Sequence, residues 1–276
     1  VWGDQEIAAS RVLGASSEIG KHIYSADPLN LFVVVESGDH HVTILDGDRF
    51  EPIARFESRF ALHGGPKFTS DGRYVFFGSR DGWVTKYDLR ALRVVAEVRA
   101  GINARNIALS KDGRHLAVAN YLPNTLVLLS ADDLSVEKII PATDRLGKPS
   151  RISAVYQAPD RDSFIAALKD AAEIWEIATN PQAGPIYAGL VHNYEKSMVE
   201  GLVSSAGLFA LRRIEVSEPL DDFFFDPGYR NLIGASRDGG KAIVVNLNVG
   251  REIATIPMPG MPHLGSGITF DWQGRR

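Results

Sequence analysis

LHGGPKFTSDGRYVFFGSRDGWVTKYDLRALRVVAEV, residues Leu62–Val98, holds four short β-prone runs parted by three tight turns. The spacing predicts strand a near Gly65–Thr69, strand b over Tyr74–Gly78, strand c over Trp83–Asp88 and strand d over Val94–Val98. Val, Phe, Tyr and Trp fill the runs, while Ser, Asp, Gly and Arg fill the turns SDGR and SRDG. β-Branched and aromatic side chains suit a pleated surface, and Asp and Gly suit turns. Four strands joined by such short turns run up and down beside one another, which is the plan of a propeller blade.

The same plan recurs along the chain. A turn with an anchoring Asp precedes a hydrophobic run at Asp27, Asp71, Asp112, Asp160, Asp226 and Asp271, with spacings of 44, 41, 48, 66 and 45. Four of the five match the roughly 40–50 residues of a four-stranded blade. The long spacing carries an insertion, Thr179–Leu211, rich in Pro, Gly and Ser and containing His192 and Tyr194. No segment sustains a 3.6-residue period, so helix is expected to be scarce. The expectation is an all-β chain, a β-propeller of four-stranded blades, with about five and a half blades in residues 1–276. An unclosed fan leaves sheet edges open. The reading therefore expects a longer parent of seven or eight blades, most simply eight, in which this is a partial propeller domain.

Composition narrows the function classes. The 276 residues carry a formal net charge of -4 and no cysteine. Disulfides, Cys-based zinc sites and a CxxCH attachment for c-type haem are thereby excluded within these residues. No apolar run reaches the roughly 18–20 residues a membrane helix needs, so no membrane span is expected. No basic run interleaved with aromatics offers itself to nucleic acid. GxSxG, P-loop, HExxH and EF-hand patterns are missing. Asp221–Asp222 reads as a strand entry rather than a catalytic carboxylate pair.

Blade geometry sorts the polar residues by face. The links from strand d to the next strand a share a face with the b-to-c turns. That face collects His63, Arg105, Arg151 and His263 from the links, and Arg80, Tyr121, Lys169 and Arg237 from the turns. His63 and His263 occupy the same phase of the repeat, each eight residues before its Asp, and lie four blades apart. In an eight-bladed ring they would face each other across the axis. Imidazole is an axial ligand for haem iron, and the planar guanidinium fork bonds carboxylates bidentately. Each residue also has an ordinary reading. A lone loop His is usually a surface residue, Arg80 and Arg237 could pair with Asp81 and Asp238, and Tyr121 could be a packing aromatic. His40, His41 and His115 read as solvated, and His192 as an exposed loop residue.

GSRDGWVTKYDL (78–89), INARNIALSKDGRHLAVANY (102–121), DDFFFDP (221–227) and GMPHLGSGITF (260–270) together resemble the haem d1-binding propeller family, which includes cytochrome cd1 nitrite reductase and proteins of haem d1 biosynthesis. The resemblance runs from about Leu31 to the end. It implies His63 as proximal ligand of the tetrapyrrole iron, and His263 as distal ligand and the residue on the catalytic side. Arg80, Arg105, Tyr121 and Arg151, with Arg237 grouped beside them, would bind the macrocycle's carboxylates. The implied activity is that of an oxidoreductase of haem d1 biosynthesis, a periplasmic dihydro-haem d1 dehydrogenase that turns one propionate side chain into an acrylate. The cofactors implied are haem d1 or dihydro-haem d1 with its iron, and a c-type haem in a domain outside these residues, with Trp2–Ser10 at the seam. A cytochrome c electron acceptor and a nitrite reductase are the implied partners. The family's nitrite reductase uses a second distal His, and the one candidate, His192, has flanks that do not match. Alternatives stay open: a cytochrome cd1 nitrite reductase haem d1 domain, a non-enzymatic haem d1 biosynthesis or carrier propeller, and a plain scaffold propeller for protein–protein contact.

Overall fold

The computed structural model describes residues 2–14, 22–188, 202–261 and 273. They form antiparallel sheets almost throughout, with one seven-residue helix, Asp4–Ser10, and a 3-10 turn at Pro159–Arg161. The chain divides into two compact units, Val1–Tyr156 and Gln157–Arg276.

Unit 1 contains three successive sheets. The first blade pairs Leu31–Glu36, His41–Asp46 and Pro52–Glu57. The second runs from Lys67–Phe68 through Tyr74–Gly78 and Trp83–Asp88 to Arg93–Arg99. The third runs from Asn103–Leu109 through His115–Leu122 and Thr125–Ser130 to Val136–Pro141. Strands b and c of the second blade fall on the residues expected from sequence, and strand a is shorter than expected. The anchoring Asp explains the repeat. In the second blade Asp71 Oδ1 accepts the Thr69 hydroxyl at 2.6 Å and the Arg73 N–H at 3.1 Å. In the third, Asp112 Oδ1 accepts the Ser110 hydroxyl at 2.6 Å and the Arg114 N–H at 3.1 Å. Asp27 and Asp226 likewise accept backbone N–H groups of their turns. Asp160 departs from the pattern because Pro159 opens a 3-10 turn there. Asp271 lies outside the described residues.

Middle strands are buried on both faces, so alternation along them selects a neighbour rather than solvent. Val75 and Phe77 face the first blade, where with Tyr87 of their own sheet they join Val42 and Ile44. Phe76 points the other way into a core with Val98, Ile107, Leu116, Val118 and Leu129. Phe56 stacks on Tyr87 with ring centroids 4.3 Å apart.

The N-terminal segment, expected as a seam between domains, clasps the second and third blades. Ile7 on the short helix enters the core and is 1% exposed. The Trp2 indole N–H donates to the Arg99 carbonyl at 3.1 Å, and the Arg99 N–H donates to Ser10 Oγ at 2.9 Å. Val12–Leu13 then adds a fifth strand outside Arg93–Arg99. His115, expected to be solvated, is buried instead, and its Nδ1 lies 2.7 Å from Glu137.

Unit 2 continues the pattern with Ser163–Leu168, Glu173–Ala178 and Leu211–Glu215 paired in order, then a four-stranded sheet of Leu220–Phe225, Asn231–Ser236, Lys241–Asn246 and Arg251–Pro257. The insertion contributes a hairpin of Ile186–Ala188 with Leu202–Ser205, and His192 lies outside the described residues. No described helix is long and apolar enough to cross a membrane.

Two outcomes test this packing. Ile7→Ala should cost about 2–5 kcal/mol in denaturant unfolding, as a buried Ile truncation does. Leu13→Ala, at a side chain 55% exposed, should stay within about 0.5 kcal/mol. Burial would raise the Asp133 carboxyl, but the Ser135 hydroxyl and N–H and the Arg11 guanidinium outweigh it and hold it at about 2. A depressed carboxylate stabilises the fold above its unfolded value near 4, and that contribution is lost as pH falls towards 2. Arg11→Ala should therefore raise the Asp133 midpoint in a carboxyl NMR titration; an unmoved midpoint would contradict this account.

Candidate functional site

The link before the second blade places His63, and backbone hydrogen bonds fix it there. The His63 N–H donates to the Gly78 carbonyl at 2.9 Å, and the Arg80 N–H donates to the Ala61 carbonyl at 3.0 Å. Arg80 in turn accepts the Ala104 N–H at 3.0 Å, so one b-to-c turn ties the link before it to the strand after it. Gly64 and Gly65 follow with φ of +85° and +70°. Left-handed backbone favours glycine, and at Gly64 a Cβ would overlap the Asn106 Cβ. Asn106 is itself pinned, donating to the Val155 carbonyl at 2.8 Å and accepting the Val155 N–H at 3.0 Å.

Both ring nitrogens of His63 meet Arg105. Nδ1 lies 2.7 Å from the Arg105 carbonyl, and Nε2 lies 3.1 Å from Arg105 Nη1. A guanidinium only donates, so Nε2 carries the lone pair and Nδ1 carries the proton. That neutral tautomer, with its second nitrogen held by a carbonyl, is the form in which imidazole ligates a metal. Arg105 Nε donates to the Ser153 carbonyl at 3.1 Å. Two residues before Ser153, the Arg151 guanidinium sits 5.5 Å from the Tyr121 ring centroid. Among the described residues the Arg80 side chain has no hydrogen-bond partner. Beside His63 a cavity of about 350 Å³ is lined by Val33, Val35, Leu62, Pro66 and Phe77. Donor chemistry here suits a metal ligand with a guanidinium beside it.

The family model for the Cytochrome D1 heme domain matches residues 26–185, more than half of the chain. The chain belongs to the cytochrome d1 haem domain family. It is 54% identical to the dihydro-heme d1 dehydrogenase of Pseudomonas aeruginosa over 99% of this chain and 51% of that protein. It is 31% identical to the protein NirF of the same organism over 85% of this chain and 58% of that protein. The solved dihydro-heme d1 dehydrogenase NirN in complex with DHE superposes with a TM-score of 0.86 at 52% identity, covering 99% of this chain and 54% of that one. The chain thus spans about half the length of these relatives.

Within this cytochrome d1 haem domain His63 meets Arg105, Arg151 meets Tyr121, and the Arg80 main chain bonds Ala61 and Ala104. Arg237, in unit 2, carries a partner of its own: Nη1 donates to Asp170 at 2.8 Å and to the Lys169 carbonyl at 2.7 Å. Lys169 donates to Asp221 at 2.7 Å. His263 lies outside the described residues.

Lys67 escaped the sequence reading. Its Nζ donates to the Gly64 and Gly65 carbonyls at 2.7 and 3.1 Å, and burial lowers its pKa. It ties down the loop that carries His63. A Lys two residues after a Gly pair was a usable signal, since orphaned loop carbonyls need donors.

Gly64→Ala should displace the loop without unfolding the sheets. The expected outcome is a changed His63 imidazole NMR signal, with near-native far-UV circular dichroism. An unchanged signal would mean that the loop tolerates the added Cβ.

Proposed function

We propose that this chain is the tetrapyrrole-holding propeller of a dihydro-haem d1 dehydrogenase, working in the last oxidation of haem d1 biosynthesis. The observation that carries the reading is the His63 imidazole, its Nδ1 held by the Arg105 carbonyl and its Nε2 facing the Arg105 guanidinium. The 54% identity to a dihydro-heme d1 dehydrogenase supports the same assignment.

The substrate is an iron tetrapyrrole with carboxylate side chains, and its iron and conjugated ring supply the redox chemistry. His63 provides the proximal ligand. Arg80, Arg105 and Arg151 bond the carboxylates, with Tyr121 beside them; Arg237 keeps this assignment on its sequence phase alone. His263 is assigned by its sequence phase as distal ligand on the catalytic side. Held at several points, one propionate is kept in the orientation its oxidation needs, which is catalysis by positioning. Forming the acrylate removes two hydrogens as two electrons and two protons. A c-type haem in a cytochrome c domain outside these residues would accept the electrons one at a time, passing the first to an external acceptor before taking the second, while the two protons leave to solvent. The setting proposed is the periplasm, in denitrifying metabolism, with a nitrite reductase as partner for the finished haem d1. An eight-bladed ring remains the proposed form of the whole propeller.

A haem d1 domain that reduces nitrite is the second reading. It is favoured by the 24% identity to the Stutzerimonas stutzeri nitrite reductase over 97% of this chain.

Visible absorption titration of the full-length protein with dihydro-haem d1 tests both. The dehydrogenase reading expects a shifted spectrum followed by conversion to haem d1, with both lost in His63→Ala. A shift without conversion would favour the second reading or a carrier. No shift would remove the tetrapyrrole reading. Arg151→Ala should weaken binding by about 1.5–3 kcal/mol, the value of a hydrogen bond to a charged group.

A further inference from the structure

We propose that Arg105 is a specificity-determining latch on His63: its guanidinium covers the imidazole lone pair and releases it to ligands that bring a carboxylate. The inference rests on the tetrapyrrole reading above and deepens it.

The two contacts between these residues differ in kind. The Arg105 carbonyl belongs to a paired strand, Asn103–Leu109, and holds Nδ1–H whatever the side chain does. The guanidinium is half-buried, anchored through Nε on the Ser153 carbonyl, and its Nη1 sits 3.1 Å from the lone pair of Nε2. Any iron approaching Nε2 must displace Nη1. The ring is poorly placed to yield instead, because Lys67 ties the following loop through the Gly64 and Gly65 carbonyls. Arg105 is therefore the part that moves.

What the guanidinium gains on moving depends on the ligand. A carboxylate gives Nη1 a charge-assisted partner better than a neutral imidazole, so the exchange is favourable. A macrocycle without carboxylates takes the lone pair and leaves the guanidinium short of an acceptor. Carboxylate recognition and iron ligation are thus coupled through one side chain, and the coupling is reciprocal. Discrimination follows from penalising the wrong ligand as much as from rewarding the right one.

The test compares full-length wild type with Arg105→Met, which keeps the aliphatic stem, and Arg105→Ala. Each is titrated by visible absorption with dihydro-haem d1 and with iron(III) octaethylporphyrin, whose periphery is entirely alkyl. Expected is a loss of about tenfold or more for dihydro-haem d1 and a gain of about tenfold for octaethylporphyrin, each the scale of one charge-assisted hydrogen bond. A residue that merely bound carboxylates would leave octaethylporphyrin affinity unchanged, and one that merely positioned His63 would lower it; either result overturns the latch. In ligand-free protein, the 15N signal of His63 Nε2 should move away from its wild-type position in both variants, with Nδ1 still protonated. An Nε2 signal identical to wild type would also overturn it. If wild type gives no shifted spectrum with dihydro-haem d1, the tetrapyrrole reading fails. A normal wild-type shift with no gain for octaethylporphyrin rejects the latch alone.

Discussion

A blade with two apolar faces is stable only between neighbours, and register, turns and site geometry follow from that constraint. Along Tyr74–Gly78 successive side chains point to opposite sides, so Val75 and Phe77 commit to the first blade while Phe76 commits to the third. A slip of one residue would exchange the two cores. Register is thereby set by packing on both sides at once, and the short turns inherit fixed positions. The b-to-c turn at Arg80 can then bond the link before it and the strand after it.

This division of labour reaches the site. Main-chain groups place the imidazole: the Gly78 and Arg105 carbonyls fix where it sits and which nitrogen carries its proton. Side-chain groups supply charge, and several are engaged by carbonyls rather than carboxylates, as Lys67 is by Gly64 and Gly65. Cations satisfied by neutral acceptors hold their geometry yet keep much of their attraction for an anion. Arg237 is the contrast, since Asp170 already neutralises it.

The sheets were legible because two physical signals coincide in the repeat. Middle strands need unbroken apolar runs, and the turns between them need an Asp whose carboxylate accepts N–H and hydroxyl groups two residues away. Asp71 and Asp112 do so with nearly identical geometry. Where a local feature competes, the reading drifts. Pro159 opens a 3-10 turn and removes Asp160 from the pattern, and the left-handed Gly64 and Gly65 shorten strand a to Lys67–Phe68. The helix Asp4–Ser10 spans two turns, too few for a period to emerge, and its place is decided by the distant partners of Ile7 and Trp2. The pairing of His63 with a link residue of the next blade, Arg105, was within reach of blade geometry. Which ring nitrogen faces the guanidinium was not, because that depends on rotamers and on a carbonyl contributed by the neighbouring blade.

The strand Val12–Leu13 has a consequence for solubility. It sits on the outer edge of the second blade, where Arg93–Arg99 would otherwise present unpaired N–H and C=O groups. Such an edge is a template for another chain. A protein trimmed to begin after residue 14 would bare that sticky rim and at the same time lose Ile7 from the core, so self-association and weakened packing of the second and third blades would arrive together.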